Sequence, residues 1–140
     1  MGIKKQDFYE GAALFILART GDLHGIRHEE PFFVLNDNLL IYLKHSTQTR
    51  SPWGFTFSKE ERETLRAKNA SDKIVIGLVC GADGVAALPY ESFAEVAGSG
   101  DGQFRIACHR KHNEHYCITG PNAQLAKKIA PSNWLKILAQ

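Results

Sequence analysis

Residues 31–44 read PFFVLNDNLLIYLK and predict a β-hairpin. Two apolar runs of strand length, 31–35 and 39–43, flank the sequence NDN at 36–38, whose residues favour turns because they tolerate positive φ. Both runs are apolar at successive positions instead of alternating with polar residues. This pattern predicts two strands that are buried on both faces in the middle of a sheet.

The register of this hairpin determines what lies beside Lys44. A two-residue turn at 37–38 pairs Asn36 with Leu39 and places Pro31 opposite Lys44. A cation at the end of a buried strand needs a partner, which is either an anionic ligand such as a phosphate or a nearby carboxylate. The first kind of partner is functional and the second is structural.

Periodicity and capping residues predict the remaining elements. A helix is expected over 7–19, with Asp7 as its N-cap and Glu10 three positions later, and a short exposed helix over 59–68 follows the cap Ser58. Further strands are expected over 53–57, 73–80, 85–89, 104–110 and 115–119, with a small helix over 90–96 and a closing tail that contains Pro131 and Trp134. This order predicts an α/β or α+β fold, in which a mixed central sheet built from β-hairpins is flanked by helices.

Composition limits the class of protein. The 140 residues are 44% hydrophobic, which is enough for one core, so residues 1–140 are expected to form a single domain. There is no apolar run of about 18 residues and no apolar stretch of signal-peptide length at the start, so a cytoplasmic protein without a membrane partner is expected. The net charge of +2 does not by itself indicate nucleic-acid binding.

Two or three carboxylates are expected near the Lys44 end of the hairpin. Glu29 and Glu30 fall beside Lys44, and the first helix brings Glu10 to the same edge. Such a cluster can hold a divalent cation such as Mg²⁺ through oxygens while the lysine positions a water near a phosphate. In the alternative interpretation these residues have no catalytic role. Glu10 belongs to a capping box, Glu29 and Glu30 are solvated loop acids, and Lys44 reaches to water.

These residues resemble the PD-(D/E)XK nuclease superfamily of restriction enzymes and Holliday-junction resolvases, over roughly residues 7–90. In that pattern a first-helix glutamate precedes an acid, a β-hairpin and then an acid-x-Lys triplet on the second strand. The chain offers, in this order, Glu10, Glu29 or Glu30, and Tyr42-Leu43-Lys44. The resemblance implies a restriction-endonuclease-like fold and metal-dependent hydrolysis of DNA. The three glutamates would be catalytic acids and metal ligands, and Lys44 would stabilise the nucleophile or the developing charge on the phosphate.

The triplet departs from the family pattern at Tyr42, which stands where the second metal-binding carboxylate is expected. A phenol with an ordinary pKa of about 10 is a poor ligand for Mg²⁺. Two possibilities follow from this substitution. Either a carboxylate from elsewhere in the chain takes the place, or the metal site is degenerate.

Two segments carry side chains suited to a phosphate backbone. After Lys44 they are Ser46, Thr47 and Arg50, and in the last hairpin they are Arg110 and Lys111. Trp53 either stacks on a base or forms one face of a packed strand together with Phe55 and Phe57. The hairpin cations either approach phosphates or form a solvated tip.

The last hairpin also contains Cys108, Cys117 and His115. A four-residue loop at 111–114 is expected to place the two cysteines opposite each other. Two thiolates and a histidine can chelate zinc, but this spacing is not a standard zinc signature, and burial as small hydrophobic residues is the favoured role.

The sequence therefore predicts a protein of nuclease-like fold that engages nucleic acid, with DNA as its partner and phosphodiester hydrolysis as one activity. Two alternatives stay open: a catalytically inactive DNA-binding protein on the same scaffold, and a module for a protein partner. Assembly as a homodimer is also open.

Overall fold

The computed structural model describes residues 2–139, and the element bounds refer to this range. The helices are α1 (Lys5–Ala18), α2 (Lys59–Asn69) and α3 (Tyr90–Ala97), and a 3-10 helix covers Pro131–Lys136. The strands are β1 (Ile26–Glu29), β2 (Phe32–Leu35), β3 (Leu39–Ser46), β4 (Trp53–Phe57), β5 (Lys73–Cys80), β6 (Gly84–Pro89), β7 (Phe104–His109) and β8 (Cys117–Thr119).

Five of the strands form a mixed sheet in the order β1-β2-β3-β5-β6. The pairs β1–β2, β2–β3 and β5–β6 are antiparallel, whereas β3 and β5 are parallel. The parallel pair needs a long crossover, which β4 and α2 supply. The predicted fold class, a mixed sheet built from hairpins and flanked by helices, is confirmed.

Strands β2, β3, β5 and β6 are largely buried on both faces, as the uninterrupted apolar runs predict, whereas the edge strand β1 is exposed. Side chains of β3 alternate between two hydrophobic clusters, so that Leu40 and Tyr42 contribute to one and Ile41 and Leu43 to the other. The first cluster lies towards the second sheet, β4-β7-β8, with α2 and α3. The second lies towards α1 and the 3-10 helix, whose Trp134 is buried. Strand β3 is therefore at the centre of the core.

The register of the β2–β3 hairpin differs from the expected one. Leu35 pairs with Leu39, so the loop has three residues instead of two, and the expected pairing of Asn36 with Leu39 is wrong. The ladder begins at Phe33 and does not include Pro31, so the placement of Pro31 opposite Lys44 is wrong as well. A one-residue change in register moves a strand's side chains to the other face, which matters for what surrounds Lys44.

Asn36 explains the longer loop. It adopts a φ of 52°, in the left-handed region that asparagine tolerates. Its side-chain oxygen accepts hydrogen bonds from the backbone N–H groups of His24 at 2.6 Å and Gly25 at 3.2 Å, and its amide donates to the carbonyl of Asp22 at 2.9 Å. These bonds tie the loop to the segment before β1, a contact that the local turn pattern does not reveal.

The two capped helices differ in how well their starts were predicted. Helix α1 begins two residues earlier than expected, and Asp7 is its third residue, whose carboxylate accepts the Lys4 N–H at 2.8 Å. The prediction of Asp7 as N-cap is therefore wrong. Helix α2 follows the prediction: Ser58 is its N-cap, and the N–H of Glu61 donates to the Ser58 hydroxyl at 3.0 Å.

The cysteines of the last hairpin do not face each other. Cys108 pairs with Ile118, and Cys117 pairs with His109, so the expected four-residue loop is wrong by one position. The sulfur of Cys108 instead lies 3.7 Å from the sulfur of Cys80 on β5, in the core between the two sheets. Contact with Cys108 and burial together raise the pKa of the Cys80 thiol far above its ordinary range.

The end of the described chain packs on the body, as expected for a closing tail. The indole N–H of Trp134 donates to the carbonyl of Ala13 in α1 at 3.0 Å, and only 1% of the Trp134 surface is exposed. Within residues 2–139, none of the helices has the length and apolar character needed to cross a lipid bilayer.

Candidate functional site: the Lys44 cluster and the two-loop surface

Lys44 lies near the end of β3 and is held by a carboxylate from α2. Its ammonium nitrogen is 2.9 Å from one carboxylate oxygen of Glu61 and 3.2 Å from the other. About a fifth of each side chain is exposed, at 22% for Lys44 and 24% for Glu61. The ammonium also lies 5.0 Å from the centre of the Phe57 ring, which adds a cation–π contact.

The carboxylate of Glu61 accepts four hydrogen bonds. Besides the two from Lys44, the backbone N–H of Ser58 donates at 2.9 Å as part of the capping box, and the hydroxyl of Tyr42 donates to the second oxygen. A carboxylate offers about four lone-pair sites. The hydrogen-bonding capacity of Glu61 is thus filled by protein donors.

Tyr42 occupies the position where the family pattern has an acid. Its ring is 7% exposed and packs against Phe32 and Phe57, while its hydroxyl reaches Glu61. Burial, followed by the bond to Glu61, raises the pKa of Tyr42 above its ordinary value. The phenol therefore stays protonated and acts as a donor at neutral pH.

The pKa of Glu61 is lower than its ordinary value. Burial by itself raises it, but the bonds from Tyr42, Ser58 and Lys44 favour the charged form and together outweigh burial. Glu61 is therefore ionised at neutral pH, and it forms a direct ion pair with Lys44.

The three acids predicted near Lys44 form hydrogen bonds or ion pairs with other residues. Glu10 accepts a bond from Gln6 at 2.8 Å. Glu29 pairs with Arg27 at 2.9 Å, and Glu30 lies 3.1 Å from the imidazole of His28. The charges of Glu10 and Glu30 act on Tyr42 as small contributions to its raised pKa, so they lie on its side of the molecule. The hydrogen bonds of the Lys44 ammonium, however, go to Glu61.

Glu61 is the residue of this cluster that the sequence did not identify. Its role in the capping box is visible in the spacing from Ser58, and Tyr42 signals that a carboxylate is missing from the triplet. The link between the two is the parallel crossover, which places the start of α2 beside the end of β3. Sequence spacing alone does not give that distance.

The resemblance implies a Mg²⁺ ion beside Lys44. This ion needs open oxygen ligands in near-octahedral geometry. The four protein donors on Glu61 fill its oxygens, and the Tyr42 hydroxyl is a donor instead of a ligand. This arrangement does not fit a bound Mg²⁺.

The same register excludes a zinc site made by opposed cysteines. Cys108 is fully buried against Cys80, whereas His115 is exposed near the hairpin tip. Cys117 pairs with His109 across the ladder and is only partly buried. The three predicted ligands are thus not arranged as opposed partners.

The predicted phosphate-contacting residues lie on two loops that meet. Strands β4 and β7 pair so that Trp53 faces Cys108, which brings the loop before β4 to the loop after β7. The backbone N–H of Arg110 donates to the Ser51 hydroxyl at 2.9 Å and joins the two loops. We call residues 46–51 together with 109–112 the two-loop surface.

Side chains on the two-loop surface differ in their exposure and in whether other residues hold them in place. Thr47, Arg50 and Lys111 are exposed. Ser46 is buried and accepts a bond from the Gln48 N–H at 3.3 Å. Arg110 is anchored, because its guanidinium binds Asp83 at 2.7 Å and the carbonyl of Glu114 at 2.7 Å.

Trp53 belongs to the packed strand and not to the exposed part of this surface. It is 3% exposed, its indole N–H donates to the carbonyl of Gln48 at 3.1 Å, and its ring packs edge-on against Tyr116. Phe55 and Phe57 are buried on the same face. A base could stack on Trp53 only if the core opened. Of the two alternatives for this residue, the packed strand face is therefore the one that applies.

Comparisons of the chain with protein-family models, curated proteins and solved structures find no match.

Proposed function

We propose that this protein binds DNA through the two-loop surface and does so without hydrolysing it. The observation that carries the proposal is the bond between the Arg110 N–H and the Ser51 hydroxyl, which unites the two segments expected to contact phosphates. Hydroxyl groups, cations and backbone N–H groups are the usual partners of phosphate oxygens.

The unpaired positive charge of this surface comes from two residues. Asp83 neutralises Arg110, whereas no carboxylate within the described residues bonds to the side chain of Arg50 or Lys111. These two exposed cations can approach phosphates without breaking an existing ion pair. The affinity is therefore expected to be modest and to weaken as salt rises, with a slope that reflects about two phosphate contacts.

The scaffold supports the inactive alternative of the nuclease resemblance. The order of a first helix followed by a hairpin whose second strand carries Lys44 is similar to the pattern that the resemblance implies. At the reacting position, however, Lys44 is engaged by a fully bonded Glu61. A lysine held in this way stabilises the fold and is not free to act on a phosphate.

Binding can be tested with fluorescently labelled DNA of mixed sequence, both single-stranded and duplex, by anisotropy at several salt concentrations. The double variant Arg50→Glu with Lys111→Glu is expected to lower the affinity about tenfold or more and to flatten the salt dependence. The matched control is Lys5→Glu with Lys59→Glu, which makes the same change in net charge at two exposed lysines that do not belong to the two-loop surface. Equal losses in both variants, or no binding by the unmodified protein, would contradict the proposal.

Metal-dependent phosphodiester hydrolysis is the second candidate. One observation favours it: Glu61 brings a carboxylate to Lys44, where Tyr42 replaces the expected acid. Incubation of supercoiled plasmid with the protein and Mg²⁺ or Mn²⁺ separates the candidates. We expect no nicking, whereas nicking that disappears in Lys44→Ala would support hydrolysis.

A further inference from the structure

A cavity of about 560 Å³ lies between the edge of the five-stranded sheet, α3 and the C-terminal stretch. Its walls come from the start of β5, the end of β6, the loop over 125–129 and the 3-10 helix. This volume falls in the range of pockets that enclose small organic ligands. None of its lining residues belongs to the two-loop surface or to the Lys44 cluster.

The floor of the cavity is aliphatic. It includes Val75 and Ala87 from the sheet together with Leu125 and Ile129 from the C-terminal stretch. All four belong to the buried core, with between 5% and 8% of their surface exposed. An apolar group placed there would cover aliphatic surface that is otherwise in contact with water, which is favourable for binding.

The rim of the cavity is predominantly basic. Its described lining includes the basic residues Lys73, Lys127, Lys128 and Lys136, and among residues 2–139 Glu95 is the one lining residue with a carboxylate. Lys128 makes a long ion pair of 3.8 Å with Glu114, whereas no ion pair within residues 2–139 engages Lys127 or Lys136. Among the described residues, Lys127 and Lys136 thus add positive charge without an ion-pair partner to a cavity whose floor is aliphatic.

We propose that this cavity binds a small organic anion, with an aliphatic or aromatic body on the floor and a carboxylate or phosphate head at the lysine rim. Lysine ammonium groups act as compact point charges and suit either kind of head group. The inference concerns a site distinct from the DNA surface and does not depend on DNA binding.

Octanoate is a suitable probe because it combines a carboxylate with an apolar chain of fitting size. Titration of isotope-labelled protein, followed by amide NMR shifts, should show saturable changes at Ala87 and at 125–129, with a dissociation constant below about 1 mM. Octylammonium and octan-1-ol have chains of the same length with a positive or neutral head. They are expected to bind at least about tenfold more weakly, since the rim favours negative charge.

Two variants test the rim and the floor separately. Lys127→Glu with Lys136→Glu should weaken octanoate binding about tenfold or more, while the control pair Lys5→Glu with Lys59→Glu, of equal net charge, should leave it unchanged. Ala126→Trp places a large ring at an exposed lining position, so it should block binding without disturbing the core.

Three results would overturn the proposal. They are the absence of saturable octanoate shifts at these amides, octylammonium binding as tight as octanoate binding, and an equal effect of the rim and control variants. Amide spectra of each variant without probe, superimposable on the unmodified protein away from the substitutions, establish that the fold is intact.

Discussion

Glu61 joins the start of α2 to β3 through bonds to three residues. Its carboxylate caps α2 through Ser58, holds the ammonium of Lys44 on β3, and accepts the hydroxyl of the buried Tyr42. Hydrogen bonds to a charged group contribute more to stability than those between neutral groups. We therefore expect this one side chain to be important for the attachment of α2 to the sheet.

The strength of the Lys44–Glu61 pair can be measured by a double-mutant cycle of Lys44→Met and Glu61→Gln. Because the pair is mostly buried and doubly bonded, a coupling free energy of about 1 to 2 kcal/mol is expected from urea unfolding. The surface pair Lys68–Asp72, with 3.6 Å between its charged atoms, is the control and should couple by about 0.5 kcal/mol or less. Equal coupling in the two cycles would contradict this account of Glu61.

Acid should remove the contribution of Glu61 to stability. Its folded-state pKa lies below the ordinary value of about 4.3, so between the two values the unfolded chain binds more protons. The contribution is complete above the ordinary value and is lost as pH falls through the folded-state pKa. The urea midpoints of the unmodified protein and Glu61→Gln should therefore approach each other as pH falls below the ordinary value of about 4.3. A difference between them that does not change with pH would show that the carboxylate is not preferentially ionised in the fold.

The partner of Lys44 shows what the sequence does not reveal. Lys44 was identified as a cation that needs a partner, and a carboxylate partner was one of the two alternatives. The sequence indicates acids in the segment before the hairpin or on the first helix, whereas the actual partner Glu61 is 17 positions away, beyond β4. Side-chain chemistry is visible in the sequence, but the distance between two side chains depends on how the crossover folds.

Local patterns predicted the elements well and their registers poorly. Strand β1, whose four residues are all exposed, was not predicted. The other strands and the helices lie close to their expected positions because hydrophobic runs and capping residues act locally. Both hairpin registers are displaced by one residue, at Leu35–Leu39 and at Cys108–Ile118. In the first hairpin the reason is Asn36, whose side-chain partners lie before β1 and outside the turn.

A pair of substitutions at Asn36 tests this explanation. Asn36→Gly keeps the positive φ but removes the side-chain bonds, so it should cost about 1 kcal/mol. Asn36→Ala removes the bonds and also adds backbone strain, so it should cost about 2 kcal/mol. Thermal or urea unfolding of both variants measures the difference. If alanine is tolerated as well as glycine, then the loop conformation does not determine the register.

Helix α2 contains Arg62, whose environment the sequence does not predict. Helix α2 was expected to be largely exposed, yet Arg62 is only 5% exposed and lies 4.2 Å from the Phe104 ring centre. Its guanidinium donates to the carbonyls of Gly100 and Ala97, near the end of α3. A charged residue on a polar helix is ordinarily assigned to solvent, and only the packing of α3 beside α2 reveals this role.

At the scale of the whole molecule, the pairing of distant strands determines where function can lie. Strands β4 and β7 were each predicted, but their pairing joins Trp53 to Cys108 and creates both the second sheet and the two-loop surface. Pairing between segments far apart in sequence depends on the complete set of packed faces, which no local pattern contains. The basic cavity under the C-terminal stretch arises in the same way.

The central claim is that the two-loop surface binds DNA while Lys44 serves the fold. The most direct test is the affinity of folded Lys44→Met for labelled DNA, measured by anisotropy beside the unmodified protein under the same salt conditions. We predict that the two dissociation constants agree within about twofold, although the variant is less stable. A loss of affinity of about tenfold or more, with circular dichroism showing an intact fold, would contradict the account. It would indicate that Lys44 belongs to the DNA-binding site.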